Sequence, residues 1–297
     1  MFAMDVINRL AFSDGLGFLE SGEDVENLMA ATKDRFDHWG RWSAVPGLER
    51  FLFKSPMSKL WLKQKPSPLA AAGQRKLALR GDPAKFEDKD RVDLMGKFLD
   101  GTTKHPGLVG DKEIIGMIQS TIGAGADTTA ATLAIIYVYL SRDRTVVDKM
   151  RQELEQARAA GQVSSPPKWM EMKNLPFLDA VIKEAMRLFP VSQWGHDRVV
   201  PPGGATVAGY FVPEGTVVGC HLDSIHRDAN VFGAHPDSYD PERWLVASEQ
   251  QRAQMERAML GFGAGKRICL GMHIAWYVKH LFSLHKEKFA DNPRFVL

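Results

Sequence analysis

The sequence predicts a mainly α fold with one small β element, α+β by segregation. Three observations carry this. Helical patterns dominate the first two thirds of the chain. One of them, DKEIIGMIQSTIGAGADTTAATLAIIYVYLSRD from Asp111, is apolar on most faces and far longer than the usual helix of about 11–12 residues. Only Val199 to His221, VVPPGGATVAGYFVPEGTVVGCH, has the Val, Gly, Pro and Thr texture of short strands and tight turns.

Taken in order, Glu20 to Asp37 is charged and amphipathic and predicts a helix. Pro56 to Pro68 and Gly101 to Gly110 hold the turn residues that break such patterns. Asp111 is an N-cap candidate, and Glu113 adds negative charge to the first turn. The helix it opens should run to about Arg142 and lie buried at the centre of the fold, since it has no broad polar face. A second helix is expected from Thr145 to Ala160, stopped by Gly161. A third is expected from Phe177 to Phe189, stopped by Pro190. After the strand-like stretch come the irregular polar run DANVFGAHPDSYDPERW, the glycine-rich FGAGKRICLG, and a last helical run, MHIAWYVKHLF.

Composition narrows the class. The chain has 297 residues, 44% hydrophobic and 25% charged, which is ordinary for a globular protein with a full core. Length alone fits one large or two modest domains. A net charge of +2 gives no reason to expect a nucleic-acid partner. Two cysteines, Cys220 and Cys269, make no disulfide framework, so a reducing compartment is expected. The opening residues MFAMDVINRLAFSDGLG have no cationic start before an apolar core and do not read as a secretory signal. The run TLAIIYVYL is short of the ~20 residues a bilayer needs, so no membrane span is expected. No internal repeat is visible.

Four constellations carry chemistry. In FGAGKRICLG a lone thiol, Cys269, sits just ahead of a helix, where the positive helix end and unclaimed N–H groups favour a thiolate. A thiolate is a soft ligand for iron, and haem iron is one metal held by Cys. Gly263, Gly265 and Gly271 would let the backbone approach a flat ring system, and Arg267 could pair with an acidic group on it. In GAGADTTA, Gly125 weakens a helix interior by about 1 kcal/mol against Ala, which points to close approach by a neighbour. Asp127 beside Thr128 sets an acid next to an alcohol, a pair able to move protons in an apolar pocket; Thr128 can also bond back to the carbonyl of Ala124. Each stretch alone also reads as plain structure, a turn in the first case and a packing seam of small residues in the second. In KEAMRLFP, Glu184 and Arg187 share a helix face three residues apart, and DPERW supplies Arg243. In GHDRVVPPGG, His196 is ambiguous, since a lone histidine is more often packed or solvated than a ligand.

Together these stretches resemble the cytochromes P450. FGAGKRICLG has every fixed position of F-G-x-G-x-R-x-C-x-G: Phe262, Gly263, Gly265, Arg267, Cys269 and Gly271. Ala124 to Thr129 is similar to the family's A/G-G-x-D/E-T-T/S helix pattern, and Glu184, Arg187 and Arg243 match its E-x-x-R and later arginine. The texture is closest to fungal microsomal members similar to pisatin demethylase and benzoate hydroxylase. The resemblance implies a haem-thiolate monooxygenase that inserts one oxygen atom into a small organic substrate, in secondary metabolism. Its cofactor would be haem b, iron protoporphyrin IX, with electrons from an NADPH-cytochrome P450 reductase. It implies Cys269 as axial ligand, with Phe262, Gly265 and Gly271 shaping the haem loop. Arg198 and Arg267 would meet haem propionates, Asp127 and Thr128 would deliver protons, and Glu184, Arg187 and Arg243 would form a buried structural triad.

The resemblance covers nearly all of residues 1–297, read as one partial domain from about the family's E helix to its L helix. Membrane anchor, first helices and most of the main sheet are expected to be missing. The full-length family implies the cytosolic face of the endoplasmic reticulum, while a chain without the anchor could be cytosolic. Where the family has A-x-x-E, Ala275 is followed by Trp276, Tyr277 and Val278. A second reading is a truncated, non-catalytic remnant with weak or no haem binding. A zinc protein is disfavoured, because two cysteines 49 positions apart have no paired ligand spacing.

Overall fold

A computed structural model describes residues 1–58, 67–80, 93–165, 167–193 and 197–285. The fold is mainly helical with four short strands among these residues. Helices of ten or more residues are numbered here. They are α1 (Phe2–Phe12), α2 (Leu28–Trp42), α3 (Pro68–Arg80), α4 (Leu94–Lys104), α5 (Asp111–Arg142), α6 (Arg144–Ala159), α7 (Pro176–Leu188), α8 (Glu249–Ala258) and α9 (Met272–His285). The chain divides into two compact units, Met1–Ala130 and Ala131–Leu297.

In the first unit the core follows helical spacing on α5. Ile114, Ile118, Ile122 and Ala126 recur every four residues, so they line one face, and all are buried. Against them stand Met4, Ile7, Ala11 and Phe12 of α1, Leu28 of α2, Leu69 and Ala72 of α3, and Met95 of α4. The Gly125 signal is resolved here. A Cβ at that position would lie 2.7 Å from Ile7 Cγ1, so the close neighbour is a core side chain of α1. Gly123 makes similar room for the Arg35 guanidinium, whose Nη2 would lie 2.6 Å from a Cβ there.

The expected helix from Glu20 to Asp37 is broken. A single turn, Phe18–Ser21, ends at Gly22 with φ 69°, and Glu26 and Asn27 also take positive φ. The chain restarts at Leu28, where Asp24 accepts hydrogen bonds from the N–H groups of Met29 and Ala30 and takes up donors that a first turn leaves unpaired. Part of the expected turn at Pro56 to Pro68 lies outside the described residues. Gly101 is inside α4, and the break falls from His105 onward. Gly110, one residue before the expected cap, opens α5: its carbonyl accepts from Ile114 N–H, and its own N–H donates to Glu113.

In the second unit α7 is the centre. Ten of its residues are buried, from Phe177 to Leu188, and only the face of Pro176, Asp179 and Lys183 reaches solvent. Around it pack Val146, Leu154 and Ala157 of α6, Met172 and Leu175 of the segment before it, and Ile136 and Leu140 of α5. Asp143 caps α6 through the N–H groups of Thr145 and Val146, and Gly161 ends it with φ 68°. The β element is two small antiparallel ladders. Arg198–Val199 pairs with Val217–Val218, and Ala205–Val207 pairs with Tyr210–Val212.

By length and composition α5 is the one helix among the described residues able to cross a membrane. That test is also passed by core helices, but α5 is not buried throughout as expected. Its buried isoleucines lie in the cores, while Ser120, Ala124, Thr128, Ala134 and Val138 are exposed, mostly small or polar side chains that the apolar count overlooks. We predict that Gly125→Ala lowers stability by about 1–3 kcal/mol although alanine is the better helix former, because the added methyl overpacks Ile7. In an Ile7→Ala background the same change should cost less, read as denaturant midpoints of both pairs.

Candidate functional site

On α5, Thr128 is exposed and its hydroxyl donates to the Ala124 carbonyl at 2.8 Å, the back-bond expected from the sequence. Asp127 beside it is half-buried. Its Oδ2 has no hydrogen-bond partner among the described residues. Burial pushes its carboxyl above the ordinary carboxylate range, and the Arg35 charge opposes that shift. An acid whose pKa is raised holds its proton more readily than a solvated aspartate, and here it stands next to an alcohol.

In the second unit Glu184 and Arg187 pair, as their spacing predicts, and Arg243, implied only by the resemblance, joins them. Glu184 and Arg187 are fully buried on α7, and Arg243 is buried in the single turn Arg243–Val246. Glu184 Oε1 accepts from Arg187 Nη2 (2.8 Å), Arg243 Nε (2.9 Å) and the Asp240 N–H (3.1 Å). Its Oε2 accepts from Arg187 Nε and Trp244 Nε1, both at 2.9 Å. Arg187 spends its remaining N–H groups on the carbonyls of His226, Pro236 and Ser238, and so uses every donor a guanidinium has. Arg243 donates to the carbonyls of Phe232, His235 and Ser238. Two cations and one anion can be buried here because nearly every polar atom is answered. The irregular run from His226 to Trp244 thereby gains the backbone partners that a helix or sheet would otherwise supply.

Trp244 and His226 are parts of this arrangement that the sequence reading did not assign. His226 is fully buried. Its Nδ1 lies 3.1 Å from the Arg187 carbonyl, and the Leu260 N–H points to its Nε2 at 3.2 Å. Both bonds are made when Nδ1 carries the proton. Burial drives the ring's pKa down to about 4, so it is neutral at ordinary pH.

The cysteine loop follows α8. Gly263 (φ 71°) and Gly265 (φ 65°) occupy the left-handed region that only glycine enters without strain, which is the local reason for both. A single 3₁₀ turn, Gly265–Arg267, leads to Cys269. The Cys269 N–H donates to the Phe262 carbonyl at 2.8 Å, which ties the thiol to the start of the loop. Cys269 is exposed, and a Cβ at Gly271 would sit 3.9 Å from its sulfur. α9 begins at Met272, so the thiol stands just ahead of a helix N-terminus, as read from the sequence. Arg267 is exposed with no carboxylate in ion-pair range among the described residues. Arg198, on the first strand, is exposed and donates to the Asp197 carbonyl. His196 lies outside the described residues.

Behind the loop is a third unassigned residue, Lys279 of α9. It is buried against the Phe262 ring (4.7 Å to the centroid), the Trp276 ring (5.7 Å) and Met186 Sδ (3.3 Å). Burial lowers its pKa to about 7, with Cys269 pulling weakly the other way. Nothing in the loop spacing announces it, since a lysine at helical spacing reads as a surface residue.

The family model for cytochrome P450 matches residues 1–283. The chain belongs to the cytochrome P450 family. Among curated P450 relatives, a monooxygenase of Aspergillus terreus is 36% identical over 93% of this chain and 57% of its own length. The monooxygenase cicH of Emericella nidulans is 34% identical over 93% of this chain and 55% of its own. The monooxygenase easK of Aspergillus fumigatus is 30% identical over 88% of this chain and 72% of its own. The chain thus spans about half the length of the first two P450 relatives.

Two outcomes are expected from the buried cluster. Glu184→Gln should cost about 3 kcal/mol or more, because it leaves two buried guanidinium ions without their anion; urea unfolding of the purified chain measures it. His226 should make the fold acid-sensitive. Its folded pKa of about 4 lies below the ordinary 6.5, so its contribution is complete above about pH 6.5 and is lost as pH falls toward 4. The loss is on the order of 3 kcal/mol. Subtracting the same pH series for His226→Gln isolates it.

Proposed function

We propose that this chain carries the haem-ligand loop and the proton-handling helix of a haem-thiolate monooxygenase acting on a small organic substrate. The observation that carries the reading is the Cys269 loop. An exposed thiol stands ahead of a helix N-terminus, with its backbone fixed to Phe262 and flanked by glycines at positive φ.

The residues fit haem b on their own chemistry. A thiol ahead of a helix N-terminus is a soft ligand suited to iron. The absence of a side chain at Gly271 keeps the space beside the sulfur open. Arg267 and Arg198 are exposed cations suited to propionate carboxylates. When bound, haem supplies the dioxygen and redox chemistry, and a cysteine ligand makes that iron electron-rich. The chain's own part is narrower. Cys269 holds the ligand position, and the αL glycines keep the loop flat. Asp127, whose carboxyl burial pushes above the ordinary range, is the acid available for proton exchange, and Thr128 offers a hydroxyl one residue on. Glu184, Arg187 and Arg243 hold the scaffold and touch no reacting group.

Electrons from an NADPH-dependent reductase, a place on the cytosolic face of the endoplasmic reticulum and a part in fungal secondary metabolism belong to the same proposal. They rest on the family and on the fungal relatives. The test is spectroscopic. The chain expressed with haem precursor, reduced and exposed to carbon monoxide should show the Soret shift of a thiolate ligand, and Cys269→Ala should abolish it. A soluble, folded chain that takes up no haem would overturn the reading.

A further inference from the structure

We propose that His226 is a positioning residue for the Cys269 loop, the hydrogen-bonded link through which the buried Glu184 network fixes the base of that loop. The inference rests on the haem-thiolate reading for its functional meaning, while its geometry stands apart from it.

The triad does not reach the loop itself. Among the described residues, the hydrogen bonds of Glu184, Arg187 and Arg243 to other segments end on residues 226 to 244. The loop is built from its first residue. The Leu260 carbonyl accepts from Gly263 N–H at 2.7 Å, and Phe262, one residue past Gly261, holds Cys269 N–H at 2.8 Å. The Leu260 N–H goes to His226 Nε2. On its other side the His226 ring meets the Arg187 carbonyl, one of the last-turn carbonyls that α7 cannot satisfy internally. Arg227 answers the next, donating to the Leu188 carbonyl at 2.9 Å. His226 and Arg227 therefore cap α7, and the same imidazole passes that anchor on to Leu260. α7 also backs the loop one residue further, where a Cβ at Gly261 would meet Met186 Cε at 3.3 Å.

Only a neutral imidazole does both jobs at this spacing. It donates from Nδ1 and accepts at Nε2, and its burial favours that neutral form. The two bonds can be separated chemically. The Asn amide nitrogen overlays Nδ1 and retains the Arg187 bond alone. The Gln amide oxygen overlays Nε2 and retains the Leu260 bond alone.

The experiment compares the wild-type chain, His226→Asn and His226→Gln. Amide hydrogen exchange read by mass spectrometry needs no haem. His226→Asn should speed exchange in peptides covering Leu260 to Phe262 by tenfold or more, with α7 peptides unchanged, while His226→Gln stays near wild type. With haem and carbon monoxide, His226→Asn should lose part of the thiolate-type band and His226→Gln should keep it. If the two variants match each other in both measurements, the inference falls. Should neither variant fold, the wild type still decides: ¹⁵N shifts of the His226 ring must report the Nδ1–H form, and an Nε2–H form overturns it. A wild-type chain without haem would defeat the functional reading and leave the exchange result to judge the link.

Discussion

The second unit depends on one carboxylate. Glu184 sits on the buried side of a mostly buried helix and takes five donors, from Arg187, Arg243, Trp244 and the backbone of Asp240. Without it two guanidinium ions would be buried unpaired, a state that proteins do not sustain. With it, those guanidinium groups hold the carbonyls of an irregular run of chain in place. The exchange is reciprocal. The loop's carbonyls accept from the buried arginines, and the arginines give the loop the partners it lacks. Such a cluster contributes little net stability compared with an apolar core of the same volume, but it admits one arrangement of three segments rather than several.

Much of this was legible in the chain. Helix positions could be read because α6 and α7 carry their own stops, Gly161 and Pro190, and the observed ends fall within a residue of those read. The Glu184–Arg187 pair was legible because the two share a helix face, whereas Arg243 was legible only through the family resemblance. What failed was local. Between Glu20 and Asp37 the amphipathic pattern runs on while Gly22 and the Asp24 cap interrupt the backbone, so side-chain period outvoted the cap. Gly125 signalled a close neighbour correctly but could not say that it was Ile7, more than a hundred positions away.

The candidate site divides in the same way. Cys269, Arg267 and the loop glycines announce themselves by spacing, since a left-handed turn demands glycine in fixed places. His226, Trp244 and Lys279 do not. A histidine takes its role from a carbonyl 39 positions back, and a tryptophan from a carboxylate 60 positions back. Lys279 reads as a solvated charge until the rings of Phe262 and Trp276 are seen around it. Residues whose function comes from distant partners leave no short-range pattern to read.

The wide sequence separation of the Glu184 partners also bears on how the second unit is made. A chain emerging from synthesis exposes α7 with its Glu184–Arg187 pair well before Arg243 and Trp244 exist. Until they arrive, α5 and α6 already cover the apolar side of that helix, but the Glu184 carboxylate lacks three of its five donors, and a loop of some sixty residues must close to bring them. The helices of the second unit can therefore pack before the irregular run does, and that run gains its fixed path only when the last segment closes on the carboxylate.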